Sequence, residues 1–337
     1  MAGIAIIGYG YWGPNLVRNF SAVAGSKVEW VVDLRTERLE VIKKQYPNIR
    51  TTANINDALN DPAVNAVVIA TPVQYHYPMA KLALEHGKHV LIEKPMTQSS
   101  AEAGELIELS KQKGLVLMVD HTFLYTGAVR KIKDLIDSGE IGEIQYFDST
   151  RINLGLFQPD INVLWDLAPH DISILFYLIK TRPVSVSATG ISHTPNELEN
   201  VAYLTVNYDA THIAHFSCSW SSPVKIRKIL IGGSKKMIVF DDVEPSEKVK
   251  IYDTGYTVKS DEDKRRLLVD YRAGDIYVPK LEQREALAGM ASDFISAIEK
   301  GTTPVSDWRV GLEVVKVLEA AQESIKNKGK EVLIKFD

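Results

Sequence analysis

The spacing of apolar residues changes near residue 120. Before it come short, almost wholly apolar runs: Gly3-Ile4-Ala5-Ile6-Ile7, Val28-Glu29-Trp30-Val31-Val32, Ala66-Val67-Val68-Ile69-Ala70, His89-Val90-Leu91-Ile92 and residues 115–119. Stretches with helical spacing separate them, beginning near Pro14 and covering 36–45, 77–85 and 99–111. Strands apolar on both faces, alternating with helices of this length, predict a parallel, doubly wound α/β sheet. After Val119 the order differs. An amphipathic helix over 127–138 is followed by strand-like runs at 143–153, 184–191, 201–208, 212–220, 225–231 and 237–240. Turns such as Tyr208-Asp209-Ala210 and Gly232-Gly233-Ser234 link them, which predicts an α+β domain on an open, mostly antiparallel sheet. A polar stretch over 248–273, with its charged run at 261–266, reads as an exposed loop or hairpin. Helices over 283–300 and 307–326 and a last strand over 332–336 close the chain. Two domains are expected, 1–120 and 121–337.

Composition narrows the class. At 337 residues the chain suits two cores, and a 45% hydrophobic share with 24% charged residues is that of a globular protein. The formal charge of -4 arises from 39 basic and 43 acidic residues, well mixed, which recommends neither nucleic acid nor an anionic membrane as partner. With Cys218 as the sole cysteine, neither an intrachain disulfide nor a cysteine-rich metal site can form, and no metal is expected. No apolar run approaches the ~20 residues of a membrane span, so a cytoplasmic protein is the simplest expectation.

Candidate chemistry begins at Gly8-Tyr9-Gly10-Tyr11-Trp12-Gly13, a G-x-G-x-x-G run between the first strand and a helix opening at Pro14. There Gly8 permits the tight bend, Gly10 lets a pyrophosphate approach the backbone, and Gly13 lets the helix pack on the sheet. Tyr11 and Trp12 belong to the same cofactor-binding turn. Asp33 ends the second strand about 20 residues on, where a carboxylate meets the adenosine ribose hydroxyls and repels a 2′-phosphate. NAD is therefore favoured over NADP, with Arg35 and Arg38 as possible offsets. The competing reading makes Asp33 a cap for the next helix. Thr71, Pro72 and His76 follow the strand ending at Ala70 and face the same crevice.

Glu93, Lys94 and Pro95 follow the strand 89–92, which leaves a cation at its carboxyl end, where open α/β sheets bind ligands. Lys94 is placed to touch cofactor and substrate; a solvated loop lysine is the alternative. In Asn162-Val163-Leu164-Trp165-Asp166-Leu167-Ala168-Pro169-His170-Asp171, a helix beginning here makes Asp166 its N-cap and puts Pro169 in the first turn. Asp166 and His170 then share a face, and a carboxylate beside an imidazole fixes its tautomer and raises its basicity, as a general base requires. A cap and an unrelated histidine would give the same spacing.

Taken together, the glycine turn at Gly8, Thr71-Pro72 with His76, Glu93-Lys94-Pro95, and Asp166 with His170 resemble the Gfo/Idh/MocA oxidoreductase family over essentially the whole chain. The resemblance implies a Rossmann domain followed by an α/β domain on an open sheet, with Lys94 as active-site lysine, His170 as acid/base, and Asp166 as its partner and a substrate contact. Many members carry glycines before the aspartate where this chain has Asn162-Val163-Leu164-Trp165. With 121–125 and 151–155, that segment is most similar to branches acting on nucleotide sugars. The implied reaction is oxidation at C3 of a UDP-linked N-acetylaminosugar or its uronic acid, with Tyr125, Arg151, Asn153 and Trp165 lining the sugar site. A free cyclitol or hexose dehydrogenase is the alternative enzyme, and a non-catalytic NAD(H) sensor the alternative of another class. A homodimer or homotetramer through the second-domain sheet is expected.

Overall fold

A computed structural model describes residues 1–155, 157–208, 212–257 and 270–336. The expected turn at Asp209-Ala210 and the charged run 261–266 lie outside the described residues. The chain divides into two compact units, Met1–Thr126 with Arg284–Lys316, and Gly127–Gln283 with Val317–Asp337.

In the first unit six parallel strands, β1 (Ala2–Ile7), β2 (Ser26–Val32), β3 (Arg50–Thr52), β4 (Ala66–Ile69), β5 (His89–Glu93) and β6 (Leu117–Asp120), lie in the order β3-β2-β1-β4-β5-β6. The crossovers contain α1 (Gly13–Ala22), α2 (Thr36–Gln45), α3 (Ile55–Leu59), α4 (His76–Glu85) and α5 (Ser100–Lys113). All of β1 and β4 is buried, as strands covered on both faces require. Ends are set locally: at α5, Ser99 accepts the Glu102 N–H at 3.2 Å, and Gly114 stops the helix at a φ of 65°. Strand order reverses between β1 and β4, the point where a doubly wound sheet opens a crevice at its carboxyl edge.

In the second unit α6 (Gly127–Asp137), β7 (Ile144–Leu154) and α7 (Val163–Leu178) precede a run of strands. These are β8 (Ser185–Ile191), β9 (Val201–Asn207), β10 (Ile213–Ser219), β11 (Ser221–Gly233), β12 (Met237–Asp241), β13 (Val249–Tyr252), β14 (Gly255–Thr257), β15 (Asp270–Arg272), β16 (Ile276–Tyr277) and β17 (Val332–Leu333). Eight of them join β7 in one sheet in the order β16-β13-β12-β11-β7-β10-β9-β8-β17, with β14 and β15 as a separate pair. Only β7 with β10 is parallel within the large sheet, so it is mixed and mostly antiparallel, as the short links require. Burial alternates along β10: Ala214, Phe216 and Cys218 face the core, and Phe216 packs 5.7 Å from Phe147 of β7. His215 points the other way, with Tyr203 and Asp148 beside it. Strand β11 starts at Ser221 rather than 225, because a register irregularity between Ser221 and Ile226 accommodates Pro223.

Two expectations change. The boundary at residue 120 left everything beyond it in the second domain, whereas residues 284–316 belong to the first unit. There helix α8 (Ala286–Lys300) stacks Phe294 edge-on to Phe20 at 6.3 Å, and Glu285 pairs with Arg18. Its amphipathic period shows that it covers an apolar surface and not which one. The helix expected to open at Asp166 begins at Val163 with Asn162 as N-cap, its side chain accepting the Trp165 N–H at 3.1 Å. Asn162 precedes the apolar run Val163-Leu164, so capping from there buries both residues, and Pro169 is left inside the helix. The last helix, α9 (Trp308–Lys326), precedes β17. Among the described residues no helix is long and apolar enough to cross a membrane.

Candidate active site

The glycine turn has the geometry its sequence requires. Gly8 takes a φ of 95° and donates to Val32 O at 2.8 Å, and a Cβ there would lie 2.4 Å from Ala70 O, so no other residue fits. A Cβ on Gly13 would meet Gly8 O at 2.7 Å. No side chain caps α1, whose first turn holds Pro14. This leaves its positive end to a ligand anion.

Asp33, at the end of β2, is 7% exposed. Its Oδ2 accepts the Tyr9 N–H at 2.7 Å, and its Oδ1 accepts the Arg35 N–H at 2.9 Å. Burial alone would raise this carboxyl; the Arg35 and Tyr9 backbone donors and the Arg35 side chain override it and hold the group below the usual range. Arg38 donates to Tyr9 O at 2.7 Å and lies 3.8 Å from Asp33. A carboxylate has about four acceptor positions and Arg35 Nε takes a third at 3.3 Å, so one remains, on Oδ2, for a ribose hydroxyl. Gly8, Gly10, Tyr11, Trp12, Asp33, Thr71 and Pro72 all line one cleft of about 520 Å³. The residues fit a dinucleotide: a cradle that admits no Cβ, an uncapped helix start and an ionised acid at the second strand. We expect Asp33→Ala to weaken NAD binding by about 10- to 150-fold, the worth of hydrogen bonds to a charged group, and to abolish discrimination against NADP, read by fluorescence titration.

His76 is not on the cleft wall. It is 1% exposed, with Nδ1 2.8 Å from Pro95 O and Nε2 2.8 Å from Thr71 O. Burial chiefly, with the Lys94 charge behind it, lowers its basicity against the pull of the two carbonyls. The ring joins the turn after β4 to the turn after β5, a role hidden in sequence because its partners are backbone atoms. Lys94, half-buried, follows Glu93 at the β5 tip.

Two residues that sequence reasoning passed over lie beside them. Asp120 and His121, at the end of β6, are 3% and 1% exposed, and β6 pairs with β5 so that Asp120 stands opposite Glu93. Burial first, then the Lys94 charge, pushes His121 down to about 3, so its ring is neutral. The available signal was an acid and an imidazole ending a strand next to the Glu93-Lys94 strand. Tyr125, expected on the sugar wall, is buried instead. Its hydroxyl donates to Asp293 Oδ2 at 2.8 Å and meets Ser306 Oγ at 3.2 Å, tying α8 to the first unit. An aromatic ring after a strand has the same signature in either place.

In the second unit α7 carries the other candidates. With Asn162 as cap, Asp166 is free of that duty; its Oδ2 accepts from Nε1 of the buried Trp220 at 3.0 Å. His170 stands one turn on, on the same face, half-buried like Asp166. We expect Trp220→Phe, which removes the tether and keeps the ring volume, to lower kcat about tenfold while NAD affinity is unchanged. Trp165 and Asn153 are half-buried and open to a ligand's approach. Arg151 is not. It is 3% exposed and makes a bidentate pair with Asp171, 2.9 Å from Nε and 2.6 Å from Nη2, and Ser149 adds a third donor at 2.7 Å. The next residue after His170 thus absorbs the arginine that was expected to hold the sugar. Among the described residues no group of three or more His, Cys, Asp and Glu could hold a metal ion.

Comparison with known proteins agrees with this architecture. Residues 2–121 match the oxidoreductase family with an NAD-binding Rossmann fold, and residues 129–239 match the GFO/IDH/MocA C-terminal domain. UDP-N-acetylglucosamine 3-dehydrogenase of Acidithiobacillus ferrooxidans is 28% identical over 315 residues, 92% of this chain and 93% of that one. A solved structure of that enzyme superposes with a TM-score of 0.79 at 25% identity, covering 96% of this chain and 98% of the other. The uncharacterized oxidoreductase YdgJ of Escherichia coli and the scyllo-inositol 2-dehydrogenase (NAD(+)) of Bacillus subtilis are 32% and 30% identical over 181 and 193 residues. Those matches cover 50% and 56% of this chain, which spans about half the length of each of the two proteins, 50% and 55%. With both halves matched and the two sheets as described, the chain belongs to the Gfo/Idh/MocA oxidoreductase family.

Proposed function

We propose that the protein is an NAD-dependent dehydrogenase of sugar carbinols, and that its substrate is a nucleotide-linked sugar, a UDP-N-acetylaminosugar or its uronic acid oxidised at C3. The observation that carries the proposal is Asp166: a carboxylate relieved of capping by Asn162, held by Trp220 and standing one turn before His170. His170 takes the hydroxyl proton, Asp166 holds its ring in the receptive tautomer, and Lys94 donates to the carbinol oxygen as it becomes a carbonyl. Bound NAD supplies the hydride acceptor. Asp33 and the glycine turn hold it, and Trp165 and Asn153 contact the sugar. Similarity over 92% of the chain to a UDP-N-acetylglucosamine 3-dehydrogenase supports the nucleotide-sugar choice. The face of the nine-stranded sheet bearing Tyr203, His215 and Asp148 is the surface for a homodimer or homotetramer, to be read by light scattering.

The scyllo-inositol 2-dehydrogenase match favours a second reading, a free cyclitol or hexose dehydrogenase. NAD reduction followed by absorbance across UDP- and dTDP-sugars, free hexoses and inositols separates them. Turnover of a UDP-N-acetylaminosugar or uronate is the expected result. Turnover confined to free inositols or hexoses would transfer the site to the second reading, and no turnover with any of them would leave a cofactor-binding sensor.

A further inference from the structure

Two acids meet at the carboxyl edge of the first sheet. β5 and β6 run parallel in a register that sets Glu93 opposite Asp120, and residues paired in this way project to the same side of a sheet. Both are buried, at 8% and 3% exposure, and Asp120 Oδ2 has no hydrogen-bond partner among the described residues. Two ionised carboxylates buried side by side repel each other and neither can donate to the other, so the pair is relieved by keeping one proton. Around them stand Lys94, the next residue after Glu93; Thr122, whose hydroxyl donates to Asp120 Oδ1; and the buried imidazole of His121, the next residue after Asp120. Burial and the Lys94 charge lower the His121 imidazole to about 3, so it adds no positive charge at neutral pH. One ammonium, on the half-buried Lys94, therefore stands beside two buried carboxyl groups.

We propose that Glu93 and Asp120 form a single monoanionic unit that shares one proton and holds the Lys94 ammonium as its counter-ion, both acids being positioning residues for that lysine. The charges then balance, one negative against one positive. Burial first, and then the Asp120 charge, drives Glu93 well above the ordinary carboxyl range, and burial raises Asp120 as well, the directions such sharing requires. The sign of the pH effect follows. Folding raises the pair's hold on a proton, so above the ordinary glutamate value of 4.5 the folded chain binds more protons than the unfolded one. The pair's contribution to stability is complete below that value and is lost as pH rises through the pair's own titration.

The proposal rests on Lys94 acting at the carbinol for its purpose, but not for its test. Infrared difference spectra of the full chain at neutral pH, wild type against Glu93→Gln and Asp120→Asn, should show one protonated-carboxyl band in the wild type that disappears in each variant. No such band in the wild type, or its survival in either variant, would overturn the shared proton. The slope of stability against pH above 4.5 should flatten in both variants. For the positioning role, each single amide keeps one negative charge and the double variant keeps none. With UDP-N-acetylglucosamine and NAD, kcat/KM should fall less than tenfold in each single variant, and in the double variant by more than the product of the two. Losses that simply multiply, or a double loss smaller than that product, would contradict the positioning role. If wild type turns over no sugar, the function reading fails while the infrared result still decides the pair.

Discussion

Replacing His170 with alanine is expected to lower kcat by about 10²- to 10⁴-fold, the usual contribution of a positioned acid or base, while NAD binds as before. Lys94→Ala should fall in the same range. The split is informative because the two halves of the chemistry lie in different units. In the proposed function the dinucleotide is held by the glycine turn, Asp33 and the start of α1, all in the first unit, whereas His170 belongs to α7 of the second. Weaker NAD binding with normal turnover at saturating cofactor would contradict the assigned roles. Stopped-flow turnover and an NAD titration on the same preparations measure both quantities.

The second large effect concerns stability. Asp171→Asn leaves the Arg151 guanidinium buried without its counter-charge, and a broken buried pair costs about 3–5 kcal/mol, a large part of a domain's stability. The midpoint of urea unfolding should shift accordingly. Replacing both partners together, as Arg151→Met with Asp171→Leu, should recover most of the loss, since the cost lies in the orphaned charge rather than in the missing attraction. If Arg151 instead served the sugar, Arg151→Met would raise KM and leave the midpoint unmoved. The pair also clamps α7 to β7 directly after His170.

What was legible in the chain depended on how local the signal was. Gly8, Gly13 and Asp33 declare themselves because a turn that admits no Cβ, and an acid at a fixed distance along the chain, are properties of a few adjacent residues. The two sheets followed from period alone, four- to seven-residue apolar runs against alternation. Asp166 and His170 lie one turn apart on one helix, as their spacing predicts, although Asn162 is the cap, since both Asn162 and Asp166 are good capping residues and only packing of Val163 and Leu164 decides between them. Tertiary partners were not legible. Nothing near Arg151 in sequence points to Asp171 twenty residues on, nothing at Tyr125 points to Asp293, and nothing at Trp220 points to Asp166. Long-range hydrogen bonds of this kind reassign a residue from the ligand to the scaffold without changing its local pattern. Asp120 and His121 were overlooked for the converse reason: their significance comes from the neighbouring strand, which only the sheet order brings alongside.

The account depends on Lys94 and His170 serving one reaction. Its most direct test is the turnover number at saturating NAD and UDP-N-acetylglucosamine for wild type, Lys94→Ala, His170→Ala and the double variant. Groups acting together on one oxygen lose their effect together, so the double variant should be within a few-fold of the slower single. Losses that multiply in the double variant, or single variants that turn over like wild type, would contradict it.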